Sequence, residues 1–149
     1  MTSVADTGLL IAALNRGDRH HRWAVDAIAE ARRSGDRLIV PEVVAGEAFT
    51  KLRYDRQISG RRDARPALAV FGMMAAGPSV FDVRGMPDHA YERAADLLGT
   101  YVDQAYSYVD AVVLLTTDDD DEASAVFTVD SSLAAYRFSR PVTVAQPGV

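Results

Sequence analysis

Short apolar runs alternate along this chain with longer stretches whose apolar residues recur at helical spacing. Thr2–Asp6 reads as a first strand, and Thr7 and Gly8 lead into a helix over Leu9–Leu14 that Asn15, Arg16, Gly17 and Asp18 end. From His20 to Arg33, Trp23, Ala24, Ala27, Ile28 and Ala31 fall on one face, the period of an amphipathic helix. After a turn at Ser34-Gly35-Asp36, the branched residues of Arg37–Val40 predict a second strand. Pro41 fits the first turn of the next helix, which runs to about Arg56. Ser59-Gly60 breaks the chain, and a helix over Arg62–Met74 closes at Gly77-Pro78. Val80–Val83 is a third strand. Asp88 is placed to cap a helix that ends near Leu98 with Gly99 after it. Ser107–Thr117 is apolar nearly all round, as a core helix is. Ala125–Val129 predicts a fourth strand, Ser132–Tyr136 a short helix, and Pro141–Val144 a fifth strand at a sheet edge.

Strands that alternate with helices predict an α/β fold, with a parallel sheet of about five strands and helices on both faces. The 149 residues suit one domain spanning 1–149, with no internal repeat and no linker. Hydrophobic residues are 48% and charged residues 25% of the chain, the composition of globular material. No cysteine is present, which excludes disulfides and cysteine-based zinc sites and makes a reducing cytoplasm the expectation. The longest apolar runs, Gly8–Leu14 and Ala111–Leu115, are too short to cross a bilayer, and no secretory signal is visible. The expected location is therefore cytoplasmic, with no membrane partner.

The formal net charge is −5, yet Lys51–Arg65 holds Lys51, Arg53, Arg56, Arg61, Arg62 and Arg65 against only Asp55 and Asp63. One basic patch thus sits on an acidic protein, and Lys51 is the only lysine. Four scattered acids bear more directly on chemistry. Ligands of open α/β sheets bind beyond the carboxyl ends of the strands. Asp6 ends the first predicted strand and Asp130 the fourth. Either could equally be a helix N-cap, since each precedes a predicted helix. Glu47 lies within a helix on the face of Val43 and Val44, where a carboxylate needs a compensating cation or hydrogen bonds. A solvated helical glutamate is the plain alternative. Asp110 heads the apolar helix; Ser107 and Asp110 have the spacing of a capping box, and metal binding is the competing role. Clustered carboxylates raise one another's pKa and call for a cation, and hard oxygen ligands favour Mg²⁺ or Mn²⁺.

In order and spacing over nearly the whole chain, these acids and their neighbours resemble the motifs of the PIN-domain nucleases, in particular the VapC-like toxins of bacterial toxin–antitoxin pairs. Val4-Ala5-Asp6-Thr7-Gly8-Leu9-Leu10 is similar to the opening motif, whose Asp is a metal ligand. Val40-Pro41-Glu42-Val43-Val44-Ala45-Gly46-Glu47 resembles the second, with Glu47 rather than Glu42 as its acid. Ser107-Tyr108-Val109-Asp110-Ala111 resembles the third and Phe127-Thr128-Val129-Asp130-Ser131-Ser132-Leu133 the fourth. Two departures stand out: Val109 replaces a frequent hydroxyl residue, and Asp118–Glu122 looks like an insertion. The resemblance implies a PIN-like fold and a Mg²⁺-dependent endoribonuclease in which Mn²⁺ can substitute. It implies Asp6, Asp110 and Asp130 as metal ligands and Glu47 as the residue that orients or deprotonates water. RNA is the implied substrate, with Arg53 and Arg56 as candidate backbone contacts. A cognate antitoxin protein and a homodimer are the implied protein partners.

Two other classes compete. A phospho-acceptor domain also gathers acids at strand ends, but it needs a lysine on a late strand, and Lys51 sits in a helix. A catalytically inactive RNA- or protein-binding domain has no need to keep all four acids. The run Asp118–Glu122 reads as a solvated loop, and His20, His21 and His89 lack the spacing of a zinc site. Trp23, Phe71, Met73 and Met74 read as core or interface, and no Gly-rich phosphate loop is present.

Overall fold

The computed structural model describes residues 1–59, 63–75 and 79–148. Five strands, β1 (Thr2–Ala5), β2 (Arg37–Pro41), β3 (Phe81–Arg84), β4 (Ala123–Phe127) and β5 (Thr143–Ala145), form one sheet in the order β3-β2-β1-β4-β5. Every neighbouring pair is parallel. Seven helices cover both faces: α1 (Thr7–Leu14), α2 (His21–Ser34), α3 (Glu42–Tyr54), the single turn α4 (Arg56–Ser59), α5 (Arg65–Ala75), α6 (Ala90–Thr100) and α7 (Tyr108–Asp119). All four residues of β1 are buried, because a central parallel strand has no solvent face and so carries no polar alternation. At the edge, β3 is only partly covered, with Phe81 buried and Val83 exposed.

The strand order decides where ligands can enter. From β1 the chain proceeds outward through β2 and β3, then returns to the other side of β1 to place β4 and β5. The order reverses between β1 and β4, which is where a doubly wound sheet opens a crevice at its carboxyl ends. Asp6 directly follows β1, and its N–H donates to the carbonyl of Phe127, the last residue of β4, at 2.9 Å. The crevice therefore begins beside Asp6.

Helix α7 is the centre of the packing. Its residues Ala111–Thr117 are all buried, and it packs on α3, α6, β1, β2 and β4. It continues through Asp118 and Asp119, so the acidic run is half helix rather than all loop. Acids are unfavourable at a helix C-terminus, and here cations compensate. The Arg140 guanidinium donates to the carbonyls of Thr117 (2.7 Å), Asp118 (3.1 Å), Asp120 and Ala123 (2.7 Å), and Arg93 pairs with Asp119 at 2.6 Å. Asp118 accepts from Tyr136 Oη and from Ser139. The run is thus held by partners and not simply solvated.

Other boundaries differ for identifiable reasons. Pro41 ends β2 and precedes α3 instead of lying within it. Asp88 does not cap α6; the cap position is His89, with φ of 53°, and the Asp88 carbonyl accepts from Arg93. Gly99 lies inside α6, which ends at Thr100. Strand β4 begins at Ala123, opposite Thr2, and ends at Phe127, two residues earlier than its composition suggests. The predicted closure at Gly77-Pro78, the break at Gly60 and the first residue of the Arg62–Met74 helix fall outside the described residues.

Gly8 shows how tightly the crevice is built. A Cβ on Gly8 would lie 2.3 Å from Cγ2 of Val129, so the first turn of α1 touches the segment leading to Asp130 with no room for a side chain. Gly8→Ala is expected to cost about 1–3 kcal/mol through overpacking, despite alanine's better helix propensity. Urea denaturation checks this: Gly8→Ala with Val129→Ala should recover most of the loss, and a double variant as unstable as the single one would rule out the contact as its cause.

Candidate active site

The four acids are positioned by four separate elements. Asp6 is the N-cap of α1, and its carboxylate accepts from the Thr7 N–H at Oδ1 (2.8 Å) and the Thr128 hydroxyl at Oδ2 (2.7 Å). The same Thr128 oxygen accepts from the Asp130 N–H at 2.9 Å. Thr128 is wholly buried, and its own N–H donates to the Ala145 carbonyl at 3.0 Å, which holds it just past the end of β4. One hydroxyl thus links the first and fourth acids. The Asp130 carboxylate accepts at Oδ1 from the N–H (2.9 Å) and hydroxyl (2.6 Å) of Ser132 and caps a 3-10 turn over Ser131–Ala135.

Asp110 completes a capping box with Ser107. The Ser107 hydroxyl accepts from the Asp110 N–H at 3.0 Å, and Asp110 Oδ2 accepts from the Ser107 N–H at 2.8 Å. Capping and a place at the site are therefore combined in one residue, as they are at Asp6 and Asp130. Glu47 is half-buried on α3, one turn beyond buried Val44, and its Oε1 lies 3.6 Å from Lys51 Nζ.

All four acids border one cavity of about 410 Å³, together with Thr7, Gly8, Ser107, Asp18, Asp55 and Lys51. Asp18 and Asp55 carry no motif and were not anticipated. Thr128 could have been noticed as a β-branched hydroxyl residue at the end of an apolar strand, two residues before an acid. Arg53 and Arg56 do not line the cavity. Arg53 places its guanidinium 5.3 Å from the centre of the Tyr54 ring, and Arg61 and Arg62 fall outside the described residues. A larger cavity, about 710 Å³, borders Arg37, Arg84 and Asp119–Glu122. Size and chemistry disagree here. In the larger cavity Asp119, Asp120 and Glu122 pair with Arg93, Arg84 and Arg37, whereas the acids of the smaller one face each other.

The electrostatics record that crowding. Asp6 is 5% exposed, and burial pushes its carboxyl up to about 6. The bonds from Thr128 and Thr7 pull it down, and the charges of Asp110 and Glu47 push it up further. Asp110 is also raised, chiefly by burial, against the bonds from Ser107 and with contributions from Asp130 and Glu47. A cation would relieve this repulsion. Thr7 lines the same cavity, and its buried hydroxyl has no hydrogen-bond partner among the described residues. The donor chemistry fits a hard divalent ion. The spacing is not preformed: among the described residues, no three acid or histidine side chains stand close enough to hold a metal ion.

An acid-lined crevice thus lies at the switch point of a five-stranded parallel sheet. The sequence profile of the PIN domain matches residues 3–138, and the chain belongs to the PIN domain family. Its fold closely resembles that of VapC toxins. VapC20 of Mycobacterium tuberculosis, a toxin that cleaves the sarcin-ricin loop, superposes with a TM-score of 0.71 at 21% identity, over 91% of this chain and 94% of that one. A toxin–antitoxin complex from Klebsiella pneumoniae matches at 0.59 and 18% identity, over 99% of each chain. VapBC2 from Rickettsia felis, bound to a DNA fragment from its promoter, matches at 0.59 and 11% identity, over 97% of this chain and 98% of that one. No curated protein matches the chain in sequence.

The raised Asp6 carboxyl makes stability depend on pH. The folded protein keeps the Asp6 proton to about pH 6, whereas the unfolded chain releases it near the ordinary aspartate value of 3.8. Stability therefore falls as pH rises through that window and levels off above it. Asn at this position keeps the acceptor for Thr7 and carries no charge. With EDTA present, Asp6→Asn is expected to be stabilised by about 1–3 kcal/mol at about pH 7.5, with most of the gain gone by about pH 4.5. Urea unfolding at the two pH values measures it, and a gain independent of pH would show that Asp6 is not the titrating group.

Proposed function

We propose that this chain is a metal-dependent endoribonuclease and the toxin of a toxin–antitoxin pair. The observation that carries this reading is the buried carboxylate of Asp6 at the switch point, sharing one cavity with Glu47, Asp110 and Asp130. Asp6, Asp110 and Asp130 would hold Mg²⁺, with Mn²⁺ as a substitute. When bound, the ion neutralises the acids, draws in an anionic phosphate and makes water a better nucleophile. Glu47 orients the attacking water and takes its proton on a carboxylate oxygen. The water oxygen bonds to phosphorus, the P–O3′ bond breaks, and O3′ takes up a proton. By family analogy the products end in 5′-phosphate and 3′-hydroxyl. Arg53 and Arg56 contact RNA backbone outside the cavity.

The partners follow from the same reading. VapC20 cleaves the sarcin-ricin loop, and the Klebsiella structure is a toxin–antitoxin complex; by analogy this chain takes an RNA substrate and a cognate antitoxin. A homodimer is supported by Leu68 and Phe71, one turn apart on α5 and 57% and 49% exposed. No helix among the described residues is long and apolar enough to cross a membrane, in keeping with a cytoplasmic protein. Residues 1–149 act as one PIN-like unit.

A second reading is a catalytically inactive RNA- or protein-binding PIN domain. It is favoured by the hydrogen bonds that commit Asp6, Asp110 and Asp130 to helix caps and by the lack of a preformed ligand set. Cleavage assays separate the two. Protein freed of antitoxin should cut RNA with Mg²⁺ or Mn²⁺ and lose the activity with EDTA. Asp6→Ala or Asp110→Ala should lower the rate by about a hundredfold or more and relieve growth inhibition on expression. Protein that binds RNA but cuts none with either ion is the outcome that favours the inactive reading.

A further inference from the structure

The acid-lined cavity holds six carboxylates, those of Asp6, Asp18, Glu47, Asp55, Asp110 and Asp130, and among the described residues Lys51 is the only cation that borders it. We propose that Lys51 is a substrate-positioning residue whose ammonium binds a non-bridging phosphate oxygen of the RNA backbone beside the metal-binding acids. This rests on the ribonuclease reading.

Four observations carry it. Lys51 lies on α3 one turn after Glu47, so the helix aims both side chains at the same cavity. Its ammonium pairs with Glu47 Oε1, at 3.6 Å, with half of the Lys51 side chain still exposed. Exposed pairs of this i,i+4 type are weak, and an anion of higher charge density can draw the ammonium away. The described arginines of the same segment stand elsewhere: Arg53 and Arg56 do not border the cavity, and Arg65 is held by Asp63 in a two-point pair. Lastly, a polyanion entering a cavity of six acids meets repulsion that metal ions offset only where they sit, and a flexible lysine at the rim supplies positive charge at the approach. A lysine suits this place because its compact, mobile point charge can exchange Glu47 for phosphate, whereas a planar guanidinium is better suited to a fixed carboxylate fork. The exchange also frees Glu47 from its cation as substrate arrives.

Because Lys51 is the only lysine of the chain, acylation of a side-chain amine reports on one position. The full-length protein with Mg²⁺ would be treated with an acetylating reagent, with and without an excess of a mixed-sequence RNA oligonucleotide carrying phosphorothioate linkages against cleavage, and Lys51 modification read by peptide mass spectrometry. RNA should slow the modification several-fold, and inorganic phosphate should not. In parallel, Lys51→Ala should raise the KM for RNA and the Kd of the oligonucleotide by about three- to tenfold and lower the salt-dependence slope of binding by about 1, with kcat changed much less. Lys51→Arg should restore binding. A lysine that merely holds Glu47 in place would instead lower kcat and leave the salt slope unchanged. Wild-type protein that neither binds nor cuts RNA overturns both the ribonuclease reading and this one. Protein that binds RNA while Lys51 stays fully reactive, with Lys51→Ala binding as tightly as wild type, overturns the Lys51 assignment alone.

Discussion

A carboxylate cannot be taken out of water cheaply, and this fold takes Asp6 almost entirely out of it, at the carboxyl end of its innermost strand. Much of the local architecture answers that one burial. Asp6 caps α1, so the dipole of the helix and the Thr7 N–H face its charge. The Thr128 hydroxyl supplies the second hydrogen bond and relays to the backbone of Asp130. To deliver that hydroxyl, β4 must end at Phe127, and the segment beyond it must pass against Gly8 without space for a side chain. Even so, the carboxyl remains raised, and the neighbouring acids add to the strain.

Such an arrangement is poor for stability in the absence of a ligand and well suited to binding one. Perturbed carboxylates gathered in a crevice are a recurrent mark of functional sites. The contrast with the acidic run near the end of α7 sharpens the point. There Asp119, Asp120 and Glu122 meet Arg93, Arg84 and Arg37, and Arg140 satisfies the carbonyls that end the helix. Density of acids alone therefore does not mark the site. Acids facing one another across a cavity, with one lysine among them, do.

Each of the three capping acids serves two purposes. Asp6, Asp110 and Asp130 start helical turns with hydrogen bonds that any Asp or Asn could make, yet their carboxylates share one cavity. Read from sequence, capping and catalysis look like competing explanations for each residue. They are compatible in three dimensions, because a helix N-terminus aimed into a crevice points its cap at the ligand too.

The order of strands and helices was legible in the sequence, since continuous apolar runs and 3.6-residue periodicity follow from burial on a sheet and against it. The four acids were legible too, as acids after strands and on apolar helices. Boundaries set by long-range partners were not: Arg140 and Arg93 extend α7 into an acidic run, and pairing with β1 sets where β4 begins. The tertiary structure alone decided that Thr128 links Asp6 to Asp130, that Asp18 and Asp55 join the cavity, and that Lys51 rather than Arg53 or Arg56 lines it. These contacts span residues up to 122 positions apart, and no local pattern encodes a hydrogen bond made at that separation.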